Sequence, residues 1–253
     1  MSRLDVDSQG RPVVVVTGMG VLTSLGRGIT ENWRRLTAGE SGITSITRFP
    51  IEGLRTTIAG TVDSREYRDL PAAGLAEVIA GHVIEEAVAD AGIGRQGDFP
   101  GPLFLALPPV EMEWPQRRML ASASGENEKI TYQGLLRAAA SGAFRSFHER
   151  FLFGSIAEHL ADRFGTKGSP VATSTACASG ATAIQLGVEA IRRHETEAAL
   201  CVGTDASVTA ESLIRFSLLS ALSTRNDPPQ SAARPFSKDR DGFVMAEGAG
   251  ALV

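Results

Sequence analysis

The chain has 253 residues, 43% of them hydrophobic, which suffices for a sizeable core in one large domain or two. Its formal net charge of −4 carries no basic excess of the kind that marks nucleic-acid or anionic-membrane binders. The polar start "MSRLDVDSQGRP" has no apolar signal core, no apolar run approaches a membrane span, and the two cysteines sit in small or apolar runs; together these fit a reducing cytoplasm.

Val13–Thr17, "VVVVT", is a β-branched run that predicts a strand buried on both faces. "GMGVLTSLGRG" after it reads as a Gly-rich loop. Gly18 and Gly20 fit the first two glycines of a dinucleotide fingerprint, but Thr23 stands at the third, so the preferred reading is a tight turn with no cofactor. Thr30 is placed to cap a helix through "ENWRRLTAG", with Gly39 as its stop. Leu75, Val78, Ile79, Val83, Ala87 and Ala91 recur near helical spacing, and Gly92 ends them. "GPLFLALPP" (Gly101–Pro109) predicts a short buried strand stopped by prolines. Glu111–Arg150 is the least regular stretch, an excursion with some helix over the surface or toward a partner subunit. Ser155–Phe164 predicts an amphipathic helix closed by Gly165.

Val171–Ala176 predicts a strand, Cys177–His194 a helix and Ala198–Gly203 the next strand: a βαβ unit with parallel strands. "RDG" marks a turn, and "GAGALV" at the end has a core-strand pattern, an unusual place for a chain to stop.

Chemistry narrows to one residue. His82, His148, His159 and His194 are scattered without metal-ligand spacing, so no metal site is expected. Cys201, inside a predicted central strand, reads as an inert small hydrophobe. Cys177 in "TSTACASGAT" follows a strand and begins a helix, among small residues that let other backbone come close. A helix N-terminus favours thiolate, and its unpaired amides can donate to an oxyanion. Position alone leaves two readings for Cys177, nucleophile or core filler. The helix behind it is small or apolar on most faces until Glu189, which predicts central burial and a tunnel for a long, thin substrate arm.

Several blocks resemble the β-ketoacyl–acyl-carrier-protein synthases of the thiolase-like superfamily: "TACASGATAI" around Cys177, "ALSTRNDPPQSAARPFSKDRDGFVMAEGAGALV" (Ala221–Val253), "VVVTGMGVLTSLG" and "LTAGESGI". They are most similar to the elongating branch. The resemblance implies an α/β fold, a layered αβαβα sandwich of two βα halves of which residues 1–253 form the N-terminal one. It implies a homodimer without a bound cofactor, the phosphopantetheine arriving on an acyl carrier protein. Cys177 would take the acyl chain, and malonyl-carrier protein would lose CO₂ and attack it. Phe216 matches a phenylalanine near the acyl pocket, Phe147 is a candidate for that pocket near the dimer interface, and Asp205 matches an acidic position read as structural.

Two departures follow from the same comparison. The family's catalytic histidines and Gly-Phe-Gly loop belong to a C-terminal half that this sequence lacks, so these residues alone are not expected to complete a condensation. After the Leu103–Leu107 strand, where the family is usually Gly-rich, this chain has "ALPPVEMEWPQRRML", which predicts an unusual acyl-chain preference. Arg65 and Arg68, or Arg117 and Arg118, are candidates for docking the acidic carrier, an ordinary solvated face being the alternative. A polyketide-type ketosynthase, a chain-length-factor-like partner and a catalytically incomplete fragment are the alternative functions.

Overall fold

The computed structural model describes residues 6–62, 67, 70–95, 97–124 and 131–253. β1 (Met19–Thr23) turns back antiparallel into β2 (Gly26–Arg27), and α1 (Ile29–Thr37) follows. The α1 N-cap is Gly28, at φ 90°, not Thr30, which lies inside the first turn. The short antiparallel pair β3 (Thr44–Ser45) and β4 (Ile58–Ala59) leads to α2 (Ala72–Ala91), which Gly92 closes in the left-handed conformation as its spacing predicts.

β5 (Leu103–Ala106) precedes the excursion, which is largely helical: α3 (Trp114–Ser124), α4 (Tyr132–Ala140) and α5 (Arg145–Arg150). Then come α6 (Ser155–Phe164), β6 (Val171–Thr173), α7 (Ser179–Arg192), β7 (Leu200–Asp205), α8 (Ala210–Leu218) and β8 (Gly248–Leu252).

Six strands form one mixed sheet in the order β2-β1-β8-β7-β5-β6. β5 runs parallel to both β6 and β7, whereas β8 is antiparallel to β7 and to β1. The predicted β6–α7–β7 unit therefore has parallel strands, but β5 lies between them. Alternation along the strands divides the core. Leu103, Leu105, Leu200 and Val202 face α2 and α6, meeting Leu75, Ile79, Val83, Ile84, Ile156, Leu160 and Phe164. Phe104, Ala106 and Cys201 face the other way, onto Ala183 and Ala190 of α7. The layers within this chain are thus α2/α6, sheet, α7, three of the five that the resemblance implies. Among the described residues no helix is long and apolar enough to cross a membrane.

The N-terminal strand is displaced from its predicted place. Val13–Thr17 is not a strand, and Val13, Val15 and Val16 are 47%, 65% and 58% exposed. The ladder starts later: the Val253 N–H donates to the Gly18 carbonyl and the Thr17 N–H to the Val253 carbonyl, and strand pairing begins at Met19 opposite Leu252. The "GMG" predicted as loop leads straight into β1, of which Met19 and Gly20 are the first two residues. Its glycines face α2, where a Cβ on Gly18 would lie 2.2 Å from the Ala87 carbonyl oxygen and one on Gly20 2.0 Å from that of Val83. They serve helix-to-sheet packing, and the space a dinucleotide would need is filled by α2.

Candidate active site

β5, β6 and β7 point their carboxyl ends to the same edge of the sheet, where open α/β sheets commonly bind ligands. Cys177 lies on that edge, four residues beyond β6 and just before the α7 N-cap, Ala178. β6 is shorter than predicted and α7 starts two residues later, so Cys177 belongs to the connecting turn. That turn is sharp. Ala176 has φ 51°, a left-handed conformation uncommon for a residue with a Cβ.

Three neighbours hold the turn. The Ser179 hydroxyl donates to the Ala176 carbonyl at 2.7 Å and accepts from the Thr175 N–H at 2.8 Å. The Thr182 hydroxyl donates to the Ala178 carbonyl at 3.0 Å and lies 3.1 Å from the Thr175 hydroxyl. The Cys177 thiol is exposed, and among the described residues its N–H has no carbonyl partner. A thiol and an unpaired amide on one residue, at the start of a helix, match the needs of acyl transfer: a nucleophile and one donor for the oxyanion. Ser179 and Thr182 were missed as positioning residues, although both stand in "TSTACASGAT".

α7 corrects one expectation. It is not buried all round. Ser179, Ala183, Gly187 and Ala190 face the sheet, whereas Ile184 is 43% exposed. The small residues form one packing stripe, and the rest of the helix is not apolar cover.

The other cysteine behaves as predicted. Cys201 is partly buried against α7, and burial pushes its thiol up to about 11, which keeps it protonated near neutrality. Phe216, on α8, packs edge-on against Phe243 at 5.4 Å. Phe147, on α5, packs with Phe144 and Phe151. The two predicted pocket residues thus sit in separate aromatic clusters. Asp205 ends β7 and accepts from the Ser207 N–H and hydroxyl, a local turn in keeping with its structural reading.

His82 meets the Tyr67 hydroxyl at 2.9 Å, His159 meets Glu77 at 3.2 Å, and His194 follows the end of α7; the side chain of His148 lies outside the described residues. No group of metal-ligating side chains occurs among the described residues. Arg65 and Arg68 lie outside the described residues. Arg117 pairs with Glu111 at 3.5 Å, and Arg118 is exposed.

Comparison with known proteins settles the family. Residues 11–253 match the family described as "Beta-ketoacyl synthase, N-terminal domain". The chain belongs to the β-ketoacyl synthases. It is 32% identical over 248 residues to 3-oxoacyl-[acyl-carrier-protein] synthase 2 of Vibrio cholerae, covering 95% of this chain and 57% of that protein. It is 30% identical to a putative polyketide beta-ketoacyl synthase 1 of Streptomyces cyaneus, covering 95% and 57%. The chain thus spans little more than half the length of the curated relatives it matches. Among solved structures it is similar to a type II polyketide ketosynthase, bound to a hexaketide and in complex with its acyl-carrier protein (TM-score 0.74, 29% identity, 94% of this chain and 56% of that one). A β-ketoacyl synthase from Burkholderia phymatum gives 0.72 at 27% identity, covering 94% and 57%. These ketosynthases share the thiolase-like α/β fold expected from the sequence.

Proposed function

We propose that this chain is the nucleophile-bearing part of a 3-oxoacyl-[acyl-carrier-protein] synthase that elongates fatty acids. The observation that carries the reading is the exposed Cys177 thiol on a strained, hydroxyl-braced turn at the carboxyl edge of the sheet. The Cys177 thiolate attacks the thioester carbonyl of an acyl chain on a carrier's phosphopantetheine. The carbonyl oxygen gains charge beside the Cys177 N–H, the pantetheine thiolate leaves, and an acyl-cysteine remains. Malonyl-carrier protein then loses CO₂, the resulting carbanion forms the new C–C bond to the acyl carbon, and the Cys177 thiolate is released. No cofactor is needed, since pantetheine belongs to the carrier. The donors that stabilise the enolate are to be sought outside the four histidines of this chain.

The helical excursion is a candidate docking surface for the acidic carrier. Arg117, Arg118, Arg137, Arg145 and Arg150 are exposed on α3–α5, against Glu149 as the one described acidic side chain there. A cytoplasmic homodimer is part of the same reading. Val171 on edge strand β6, Leu136 on α4 and Leu152 and Phe153 just after α5 are exposed apolar residues that such a contact would cover. A polyketide substrate is the second reading, favoured by the likeness to the hexaketide-bound ketosynthase and to the Streptomyces cyaneus protein.

Intact mass after incubation with an acyl-carrier thioester tests the nucleophile. One acyl adduct is expected, lost in Cys177→Ala and kept in Cys201→Ala. A folded chain that takes no acyl group on Cys177 overturns the reading. Comparing fatty-acyl with polyketide-type thioesters separates the two substrate classes.

A further inference from the structure

The proline-bearing loop after β5, residues 107–113, lines a cavity of about 50 Å³ together with the start of α2, Ile156 of α6, the turn after β7 and the first turns of α8. The cavity lies at the carboxyl edge of the sheet, as Cys177 does, because β5 and β7 both run out into its walls. One wall touches the strand that leads to the thiol. The N–H of Leu107 donates to the carbonyl of Thr173 at 3.1 Å, Thr173 ends β6, and Cys177 follows four residues later. Neighbouring strands lie about 4.8 Å apart, so the cavity begins about one strand's width from that turn. Its volume is about a third of one that houses a benzene ring, which leaves room for about two or three non-hydrogen atoms.

The cavity has two unlike sides. Ala73, Ala76, Leu107 and Ile156 make one of them apolar. On the other, the ionic groups are anchored. Glu113 accepts the N–H of Ala72, the first residue of α2, at 2.5 Å. Glu211 accepts the N–H of Trp114, the first residue of α3, at 2.5 Å, and Glu111 pairs with Arg215 of α8. Carboxylates at helix starts are well placed where they are. Ser212 differs. It is 7% exposed, and its hydroxyl oxygen accepts from Thr209 at 3.1 Å and from Arg215 at 3.5 Å. Both contacts bring a proton to that oxygen, and among the described residues the Ser212 proton itself has no acceptor. A buried donor without a partner costs free energy, so this wall favours a ligand that brings an oxygen.

We propose that this cavity takes the far end of the acyl group carried by Cys177 and selects ends that bear an oxygen, a ketone or hydroxyl beside a terminal methyl, over plain alkyl ends. The methyl lies on Ala73, Ala76, Leu107 and Ile156, and Ser212 donates to the oxygen. The inference rests on the acyl-transfer reading of Cys177 and names the substrate class within it, toward the second of the two substrate readings above. It also gives a direction to the unusual acyl-chain preference expected of this loop. An alkyl end would leave the Ser212 donor unpaired and would displace water from Glu113 and Glu211 without replacing it.

Carrier thioesters matched in length test this, with the rate of Cys177 acylation read by intact mass. Hexanoyl is compared with 5-oxohexanoyl, and octanoyl with 7-oxooctanoyl and 7-hydroxyoctanoyl; acetyl is the reference. At one of the two lengths the oxygenated chain should acylate Cys177 about fivefold or more faster than its alkyl partner. Ser212→Ala should erase that preference, so that oxygenated and alkyl chains of one length react alike. Ala73→Val narrows the apolar side and should slow the favoured chain about fivefold or more relative to acetyl, and it carries the test if Ser212→Ala does not fold. Equal rates for oxygenated and alkyl chains at both lengths, or a preference that survives Ser212→Ala, overturns the proposal and leaves Cys177 as the nucleophile. Failure of every thioester, acetyl included, to acylate Cys177 in the folded chain overturns both.

Discussion

The two faces of the sheet are built differently. On one, α2 and α6 lie over Leu103, Leu105, Leu200 and Val202, and Ile79, Ile84 and Phe164 are fully buried. On the other, α7 touches the sheet through a stripe of small residues and leaves Ile184 half-exposed. The first face holds the stability. The second keeps its bulk away from the turn that presents Cys177. The sharpest way to break this contrast is at Gly20, where a Cβ would lie 2.0 Å from the Val83 carbonyl. Gly20→Val must push α2 off the sheet and is expected to cost about 4 kcal/mol or more, read as loss of the folded baseline in urea or thermal unfolding. A variant that unfolds like the natural chain would show that α2 does not carry the core.

The contrast can be measured by truncating one isoleucine on each face. Ile79→Ala opens a cavity among fully buried side chains and should cost about 2–5 kcal/mol. Ile184→Ala, on the exposed side of α7, should cost less than about 1 kcal/mol. Equal effects in denaturant titrations would mean that the α7 face is as closed as the other in solution.

What was legible in the sequence follows the same division. α2 could be read from its apolar spacing and Gly92, since a long helix against a sheet writes its pattern locally. β1 could not. Its glycines read as loop because the reason for them, close contact with Val83 and Ala87, lies more than sixty residues away in sequence, and its partner strand β8 begins only at Gly248. The Cys177 turn was legible as a strand-to-helix junction of small residues, yet the apolar look of α7 suggested full burial, because small residues do not declare which side they pack. Glu113 was legible only as part of an odd loop, for no local pattern shows that a carboxylate caps a helix 41 residues earlier.

Smaller effects sharpen the comparison at the turn itself. Ser179→Ala removes the donor to Ala176 and the acceptor for Thr175, a loss of about 1–2 kcal/mol. Its clearer signature should be kinetic. A small alkylating reagent needs only the exposed thiol and should react with Cys177 at the natural rate. Acyl transfer from a carrier thioester also needs the Cys177 N–H in place, and should slow about tenfold. Equal slowing of both reactions would mean that Ser179 governs access to the thiol and not its alignment.

The smallest change in stability is expected at Gly180. It lies in the first turn of α7, where an added Cβ meets nothing within 4 Å, the opposite of Gly20. By helix propensity alone Gly180→Ala should stabilise the chain, by up to about 1 kcal/mol. A glycine that packing does not require points instead to what must pass beside it. If the open space next to Cys177 admits a thioester, the added methyl should slow acyl transfer while leaving alkylation by a small reagent unchanged. Acyl transfer at the natural rate in this variant would show that the thioester reaches the sulfur from the other side of the turn, past Ala176 rather than along the first turn of α7.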